Sequence, residues 1–295
     1  MFIRKRVAAA RRTVLAAALM FVSTVVSAQT FTFTAIPDQD ESRLTERFGR
    51  IADYLSKQVG AEVKYIPVKS YPAAVAAFRN NQVQLAWFGG LTGVQARNRV
   101  PGSEAIAQGA EDTVFKTYFI AHSSTGLKNS AEFPAAIAGK SFTFGSKGST
   151  SGRLMPEFFV REHFKKAPDA IFSRVGFSGD HSRTMTLVES GAYDIGVLNY
   201  TVWDDAVKQG TVDTSKVSVI WTSPTYPDYQ WTIRGDVDAA WGKGFKQKVQ
   251  QALLDMKDPQ LLQAFPRTGF VPAQNSDYAP IEKTAIELGI MDEIM

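Results

Sequence analysis

Apolar and polar positions in the first part of the chain repeat with two different periods. The segment "TFTFTAIP" at 30–37 alternates polar and apolar residues and ends at a proline, which predicts a strand. The segment at 40–60 has apolar residues at helical spacing, an aspartate that can cap its start and a glycine that can end it. The pattern then predicts a strand at 61–68, a short helix at 70–81 and a strand at 83–90.

The same alternation of strands and helices resumes in the middle of the chain. A strand at 117–122 and the apolar run "SFTF" precede a loop of small residues and an apolar, helix-forming segment. Further on, strands are predicted at 171–177, 193–199 and 217–224, with a helix at 182–192. Strands that alternate with helices predict an α/β fold with mixed, mostly parallel sheets and flanking helices.

Two successive modules of this kind predict two lobes. The first lobe is expected at 29–121 and the second at 122–222. The remainder, 223–295, is mostly helical in pattern and too small for a good domain, so we expect it to return to the first lobe. The chain would then cross between the lobes twice, near residues 121 and 222. Two crossing strands predict a hinge, and hinged lobes close around a ligand.

The first 28 residues have the pattern of a secretory signal peptide. A basic start is followed by the apolar run "TVLAAALMFVSTVV", and Val26 and Ala28 occupy the small-residue positions before a cleavage site. The run has 14 residues, whereas a helix that spans a bilayer needs about 20. The sequence therefore predicts an exported, periplasmic protein whose mature chain begins at Gln29.

Removal of this segment changes the charge of the protein. The full chain has 33 basic and 29 acidic residues, and 1–28 holds five basic residues and no acidic ones. The mature chain has 28 basic against 29 acidic residues, a net charge of −1, so a nucleic-acid partner or a membrane surface is not indicated. The chain has no cysteine and three scattered histidines, a composition that predicts neither a metal site nor a cofactor.

The loop "GSKGSTSGRLMP" at 145–156 holds three glycines and four hydroxyl-bearing residues between a strand and a helix. The start of a helix offers unpaired N–H groups and the positive end of its dipole. Glycines let the backbone approach a ligand closely, and serine and threonine add rotatable donors. The loop therefore predicts an anion site, with an ordinary helix cap as the alternative.

A serine hydrolase is a second interpretation of the same loop. Ser149 or Ser151 could act with His181 and with Asp180 or Asp194 as a catalytic triad. The G-x-S-x-G elbow typical of such enzymes is missing. We therefore expect that the protein is not an enzyme.

The mature chain resembles the periplasmic substrate-binding proteins of ABC importers, in particular the group for phosphonate, phosphite and phosphate. The resemblance implies a type II-like, two-lobed binding protein that captures a small tetrahedral oxyanion and passes it to a permease in the inner membrane. Selenate-like and sulfate-like anions remain open, and so does a sensor subunit of a signalling system with the same fold. We also expect the protein to be a monomer. The segments that carry the family resemblance are "SYPAAVAAF", "VQLAWFGGLTGVQA", "IAGKSFTFGSKGSTSGRLMP" and "GDHSRTMTLVESGAYDIG".

The resemblance also implies which residues bind the ligand. The serine and threonine loop of the second lobe would bind the oxygens, together with a histidine from that lobe. A tyrosine before a short helix of the first lobe would face them, and the end of a first-lobe strand would line the cleft. The implied ligand-binding residues are Tyr71, Trp87, Phe88, Gly89, Ser149, Thr150, Ser151 and His181.

Five positions depart from the family pattern or bear on the choice of ligand. Phe115 stands where the family often has a tyrosine. Nearest to the positions where aminoalkyl phosphonate binders carry acidic residues, the chain has Thr201, which is neutral, and Asp228. A bare oxyanion is therefore favoured. Asp180 and Asp228 are candidates for a carboxylate near the anion, which would favour a protonated one. Because histidine titrates near physiological pH, His181 predicts an affinity that changes between about pH 5 and pH 8.

Overall fold

The structure, a computed structural model, describes residues 29–263 and 265–292. The predicted signal peptide, 1–28, lies outside the described residues. No helix among those described is both long and apolar enough to cross a bilayer.

The described residues form two sheets. The strands are β1 (Phe31–Ala35), β2 (Val63–Tyr65), β3 (Leu85–Phe88), β4 (Glu104–Gly109), β5 (Thr117–His122), β6 (Ser141–Phe144), β7 (Arg174–Phe177), β8 (Ile195–Asn199), β9 (Val217–Thr222), β10 (Gln230–Ile233) and β11 (Phe270–Pro272). The first sheet has the order β11-β4-β10-β3-β1-β2, and the second has the order β7-β6-β8-β5-β9.

Helices connect the strands and cover both sheets. They are α1 (Glu41–Val59), α2 (Tyr71–Arg79), α3 (Gly90–Arg99), α4 (Met155–Phe164), α5 (His181–Glu189), α6 (Tyr200–Gln209), α7 (Val237–Trp241), α8 (Phe245–Leu254), α9 (Pro259–Gln263) and α10 (Ala279–Glu287). A π-helical turn, Thr150–Leu154, leads directly into α4.

Helix α1 shows how local signals fix an element. Asp40 caps its start by accepting the N–H of Ser42 at 3.0 Å, and Gly60 ends it with a left-handed φ of 70°. The apolar stripe, which includes Leu44 and Phe48, is buried in the core of the first sheet. Both caps and the buried face were predicted from the sequence.

The predicted α/β class is confirmed, but the expected majority of parallel strand pairs is not found. Among the described strands, the parallel pairs are β1 with β2, β1 with β3, β6 with β7 and β6 with β8. The other five pairs are antiparallel. The cause is that β5 runs against the other four strands of its sheet, and β10 and β11 run against the other four strands of theirs. Strands β10 and β11 lie in the segment that was predicted to be mostly helical.

Two chain segments pass between the sheets and pair with each other. Phe115 and Tyr226 form an antiparallel bridge in which each backbone N–H donates to the other carbonyl at 2.9 Å. By sheet membership β5 belongs to the second sheet, and β10 and β11 return to the first. The lobe limits at 29–121, 122–222 and 223–295 stay a prediction. Below, "first lobe" and "second lobe" mean the parts built on the first and the second sheet.

Candidate functional site

The carboxyl ends of strands from both sheets meet in a cleft between the lobes. Gly89 follows β3, Asp38 lies three residues past β1, and Asn199 ends β8. Ligand sites in open α/β sheets commonly lie beyond the carboxyl ends of strands. Here the two sets of ends are in contact, because the N–H of His181 in the second lobe donates to the carbonyl of Asp38 in the first at 3.0 Å.

The small-residue loop forms the start of a helix on the second-lobe side of the cleft. Ser149 caps the π-helical turn, and its Oγ accepts the N–H of Gly152 at 2.9 Å. The Oγ of Ser151 is buried and has no hydrogen-bond partner among the described residues. This wall therefore combines a free hydroxyl with the N–H groups of a helix start, which lack intrahelical acceptors.

Gly152 lets the helix start approach His181. A Cβ at this position would lie 2.9 Å from the Oγ of Ser149 and 3.1 Å from the Cε1 of His181. The first distance is shorter than Cβ contacts in real structures allow, so a side chain here would push the cap and the imidazole apart. The glycine thus brings the loop and the histidine to the same side of the cleft.

His181 is the first residue of α5 and is fully buried. Its Nδ1 faces the backbone N–H of Asn199 at 3.4 Å, and its Nε2 has no partner among the described residues. Burial lowers the pKa of His181 to about 3, so the ring is neutral at physiological pH. In the closed cleft, desolvation removes the charged form of His181 from the range between pH 5 and pH 8. The predicted change of affinity over that range stays a prediction.

Tyr71 begins α2 on the first-lobe side, where Ser70 caps the helix. Its ring is buried, and its hydroxyl has no hydrogen-bond partner by distance and angle among the described residues. Burial raises the pKa of Tyr71 well above 10, and the nearby carboxylate of Asp38 adds to this, whereas the hydroxyl of Ser149 opposes it. Tyr71 therefore stays a neutral donor that faces the second-lobe loop.

Asp228 supplies a carboxylate to the first-lobe wall. Its Oδ1 accepts the N–H of Gly90 at 2.9 Å, and its Oδ2 is buried without a partner among the described residues. Burial raises the pKa of Asp228 to about 7, although the Gly90 N–H partly offsets this. The backbone of Asp228 is held by Asp112, whose carbonyl accepts the N–H of Asp228 at 3.0 Å. The carboxylate of Asp112 in turn pairs with Arg267 at 2.7 Å.

Gly89 and Thr150 lie where the two lobes touch. The Oγ1 of Thr150 accepts the N–H of Leu91, in the first turn of α3, at 3.0 Å. A Cβ at Gly89 would lie 3.2 Å from both that oxygen and the Oδ1 of Asp228. The missing side chain therefore allows close contact between the lobes. A direct role of either residue in ligand binding stays a prediction.

Trp87 and Phe88 take part in the packing of the first lobe. The ring of Trp87 stacks on Tyr229 with centroids 5.4 Å apart, and Phe88 meets Phe78 edge-on at 5.7 Å. Both side chains belong to the buried apolar cluster of the first sheet. Their expected contact with the ligand stays a prediction, and the contacts that the structure gives them are apolar.

The remaining candidate residues have structural partners. Asp180 caps α5 by accepting the N–H of Arg183 at 2.8 Å. Asp194 accepts the N–H and the hydroxyl of Ser141 at 2.8 and 2.7 Å. The hydroxyl of Thr201 donates to the Oδ1 of Asn199 at 2.8 Å. Of the two carboxylates considered near the anion, Asp228 is therefore the one with a free, buried oxygen.

Sequence reasoning missed three buried residues at this site: Asp38, Asn199 and Tyr229. The hydroxyl of Tyr229 donates to the Oδ2 of Asp38 at 2.8 Å and accepts from the Nδ2 of Asn199 at 3.1 Å. Asp38 and Asn199 lie at or near the carboxyl ends of predicted strands, a signal that could have found them. Tyr229 lies in the segment predicted to be mostly helical, and no local pattern marks it.

Together, these residues present three neutral donors and one acceptor. The atoms without partners are the Oη of Tyr71, the Oγ of Ser151, the Nε2 of His181 and the Oδ2 of Asp228. Such a set suits a small oxyanion that also carries a proton. The described residues contain no cluster of histidine, aspartate or glutamate side chains that could hold a metal ion. A depression of about 420 Å³ beside Tyr71 opens to solvent between the lobes.

Comparison with known proteins decides the family. The sequence profile of the family described as "ABC transporter, phosphonate, periplasmic substrate-binding protein" matches residues 33–278. The chain belongs to this family. Among curated proteins, it is 40% identical over 267 residues to the probable ABC transporter phosphite binding protein PhnD1 of Prochlorococcus marinus (strain MIT 9301). That match covers 86% of this chain and 88% of the relative.

Solved structures agree with this assignment. PhnD1 from Prochlorococcus marinus (MIT 9301) in complex with methylphosphonate has a TM-score of 0.84 and 38% identity, and the match covers 88% of this chain and 98% of that chain. A binding protein component of an ABC phosphonate transporter from Pseudomonas aeruginosa has a TM-score of 0.77 at 20% identity and covers 89% of this chain and 87% of that chain. The predicted family, the two-lobed fold and the class of function, a periplasmic substrate-binding component of an ABC transporter, are thereby confirmed.

Proposed function

We propose that this family member captures a small phosphorus oxyanion that carries one proton, such as phosphite or methylphosphonate, between its lobes in the periplasm. The observation that carries the proposal is the buried set of three donors and one carboxylate: Tyr71, Ser151, His181 and Asp228. The names of the relative and of its methylphosphonate complex support the same ligand class. Closure around the anion then presents both lobes to a membrane permease.

The carboxylate of Asp228 is what favours a protonated anion. In an open, hydrated cleft, we expect an ordinary aspartate pKa of about 3.9, so Asp228 is ionised at neutral pH. In the closed structure, burial raises its pKa to about 7. A P–OH group can donate to the free Oδ2, whereas sulfate and selenate bring no proton and require Asp228 to take one from solvent. The site therefore selects by protonation state as well as by charge.

The contacts also favour an anion with a small substituent. Thr201 is neutral and its hydroxyl is hydrogen-bonded to Asn199, so no carboxylate stands at this position to bind an amine. Phe115 is fully buried and offers no hydroxyl. We therefore expect aminoethylphosphonate to bind more weakly than methylphosphonate or phosphite.

The hydrolase alternative lacks support in these contacts. In a serine–histidine–aspartate triad, the carboxylate accepts the proton of one imidazole nitrogen. Here the Nδ1 of His181 faces a backbone N–H donor, and Asp180 and Asp194 are bonded elsewhere. The observations favour a binding role for Ser149, Ser151 and His181.

A thermal-shift panel tests the proposal on the mature protein with phosphite, methylphosphonate, phosphate, aminoethylphosphonate, sulfate and selenate. A ligand at 100 times its dissociation constant adds about 2.7 kcal/mol to the free energy of unfolding. We expect the largest shift with phosphite or methylphosphonate and a much smaller shift in Ser151→Ala. Ser103→Ala is a matched control, because this buried serine also lacks a hydroxyl partner but lies before β4, outside the site. No shift with any phosphorus oxyanion would refute the proposal.

A further inference from the structure

A chain of hydrogen bonds crosses between the lobes beside the proposed anion site. It joins Asp38 and Tyr229 of the first lobe to Asn199 and His181 of the second. The Oδ2 of Asp38 accepts the Tyr229 hydroxyl at 2.8 Å, and that hydroxyl accepts the Nδ2–H of Asn199 at 3.1 Å. The backbone N–H of Asn199 then faces the Nδ1 of His181 at 3.4 Å. All four side chains are at most 5% exposed.

The hydrogen bonds that cross the cleft form only when the lobes are closed, because their donors and acceptors lie on different lobes. Among the hydrogen bonds made by these four residues, the two that cross the cleft have their donors in the second lobe: the Nδ2 of Asn199 and the backbone N of His181. Both acceptors belong to the first lobe: the hydroxyl of Tyr229 and the carbonyl of Asp38. If the lobes separate, water must replace each of these bonds. The bonds therefore favour the closed arrangement without any contact with the ligand.

Asn199 is well placed to connect closure with the histidine. Its Oδ1 accepts the N–H and the hydroxyl of Thr201 at the start of α6, which fixes the side chain and directs Nδ2 toward Tyr229. Its backbone N–H faces the Nδ1 of His181, and a neutral imidazole that accepts at Nδ1 carries its proton on Nε2. Asn199 thus contacts both Tyr229 across the cleft and the Nδ1 of His181, the nitrogen whose partner sets the tautomer of the imidazole.

We infer that Asp38, Tyr229 and Asn199 form an interlobe latch that stabilises the closed state and holds the Nε2–H of His181 toward the anion. They are positioning residues, since they act through lobe closure and through His181. The inference rests on the proposed function, because the benefit of the latch is a slower release of the bound anion.

The variant Tyr229→Phe tests the latch while keeping the aromatic ring. That ring stacks on Trp87 and packs against Phe115, and only the hydroxyl joins Asp38 and Asn199. Tyr278→Phe is the matched control. Its hydroxyl is also buried, and it donates to the Oε1 of Gln108 at 3.1 Å and the carbonyl of Tyr229 at 3.3 Å, both within the first lobe. Calorimetry with phosphite and methylphosphonate, and stopped-flow measurement of their release, would be carried out on both variants.

We expect Tyr229→Phe to raise the dissociation constant about ten-fold, through faster release, because the hydrogen bond that the hydroxyl accepts from Asn199 across the cleft is lost and Asp38 loses its donor. Tyr278→Phe should bind like the wild type. Melting of the ligand-free proteins should show similar losses in the two variants. The ¹⁵N shifts of His181 in the bound wild type should show the proton on Nε2.

Unchanged affinity and release in Tyr229→Phe would overturn the latch, as would equal effects in Tyr278→Phe. A proton on Nδ1 of His181 would overturn its orienting role. If the wild type binds neither anion, the proposed function is wrong, and X-ray scattering of the ligand-free proteins then decides on the latch. The latch requires a larger radius of gyration in Tyr229→Phe than in Tyr278→Phe, and equal radii would refute it.

Discussion

The two walls of the cleft differ in what they offer an anion. The second-lobe wall is a helix start with the hydroxyls of Ser149 and Ser151 and the neutral imidazole of His181. The first-lobe wall has the hydroxyl of Tyr71 and the carboxylate of Asp228. Donors and a helix dipole favour any oxyanion, whereas a carboxylate repels one that cannot donate a proton. We infer that the second lobe binds the negative charge of the ligand and that the first lobe distinguishes ligands that carry a proton from those that do not.

Replacement of the carboxylate should remove most of this difference. With Asp228→Asn, we expect sulfate binding at pH 7.5 to tighten by up to about a thousand-fold. The reason is that closure of the wild type around sulfate buries a carboxyl whose pKa rises from 3.8 to about 7, and a difference of about three in pKa corresponds to that factor in the cost of burying its charge. Phosphite should lose about ten-fold, because one charge-assisted hydrogen bond is removed. Calorimetry with both anions measures this, and an unchanged sulfate affinity would contradict the role of Asp228.

Loss of a second-lobe donor should weaken every oxyanion to a similar degree. We expect His181→Ala to raise the dissociation constants of phosphite and methylphosphonate about thirty-fold, because a buried donor to a charged group is lost. Closure lowers the pKa of His181 from its ordinary value near 6.5 to about 3, so the advantage of the wild type over the variant should be full at pH 8 and shrink as the pH falls below about 6.5. A ratio that stays constant from pH 5 to pH 8 would show that the imidazole is neutral in the open protein as well.

Loss of the first-lobe donor should have a smaller effect. We expect Tyr71→Phe to weaken phosphite binding about ten-fold, because one phenolic hydrogen bond is lost while the ring continues to fill its place. The discrimination against sulfate should be retained, since Asp228 is unchanged. Competition titrations with both anions provide the measurement. Loss of the discrimination in this variant would mean that Tyr71, and not Asp228 alone, responds to the proton.

The smallest effect on affinity is expected behind the first-lobe wall. Trp87 stacks on Tyr229 inside the apolar cluster, so Trp87→Phe should change the dissociation constant of phosphite by no more than about two-fold. The truncation leaves a cavity, and we expect it to lower the free energy of unfolding by about 1–3 kcal/mol. Chemical denaturation and calorimetry on the same sample separate the two effects. A ten-fold loss of affinity would instead support a direct contact between Trp87 and the ligand.

Much of the fold could be predicted because its signals are local. The caps of α1 at Asp40 and Gly60 and the alternation in β1 are contained in short segments. Strand β10, "QWTI", alternates polar and apolar residues, but this run of four is short and lies in a segment whose pattern is mostly helical, so it was missed. Its place between β3 and β4 depends on chain segments more than 120 residues away.

The residues of the site also divide into those marked by local sequence signals and those that depend on residues distant in sequence. The loop that holds Ser149 and Ser151 carries a compositional signal, and the family resemblance indicated Tyr71 and His181. The low pKa of His181 in the closed cleft was not foreseen, since desolvation depends on burial by residues distant in sequence. Tyr229 was missed for the same reason, because its partners Asp38 and Asn199 are 191 and 30 residues away along the chain.

The most direct test of the central claim is the number of protons taken up when phosphite binds at pH 8.5. Calorimetric titrations in two buffers with different heats of ionisation give this number. At this pH the free anion and the Asp228 carboxyl of the open protein are both ionised, whereas the complex holds one proton between them. The account predicts an uptake close to one proton in the wild type and close to none in Asp228→Asn. An uptake near zero in the wild type would contradict it.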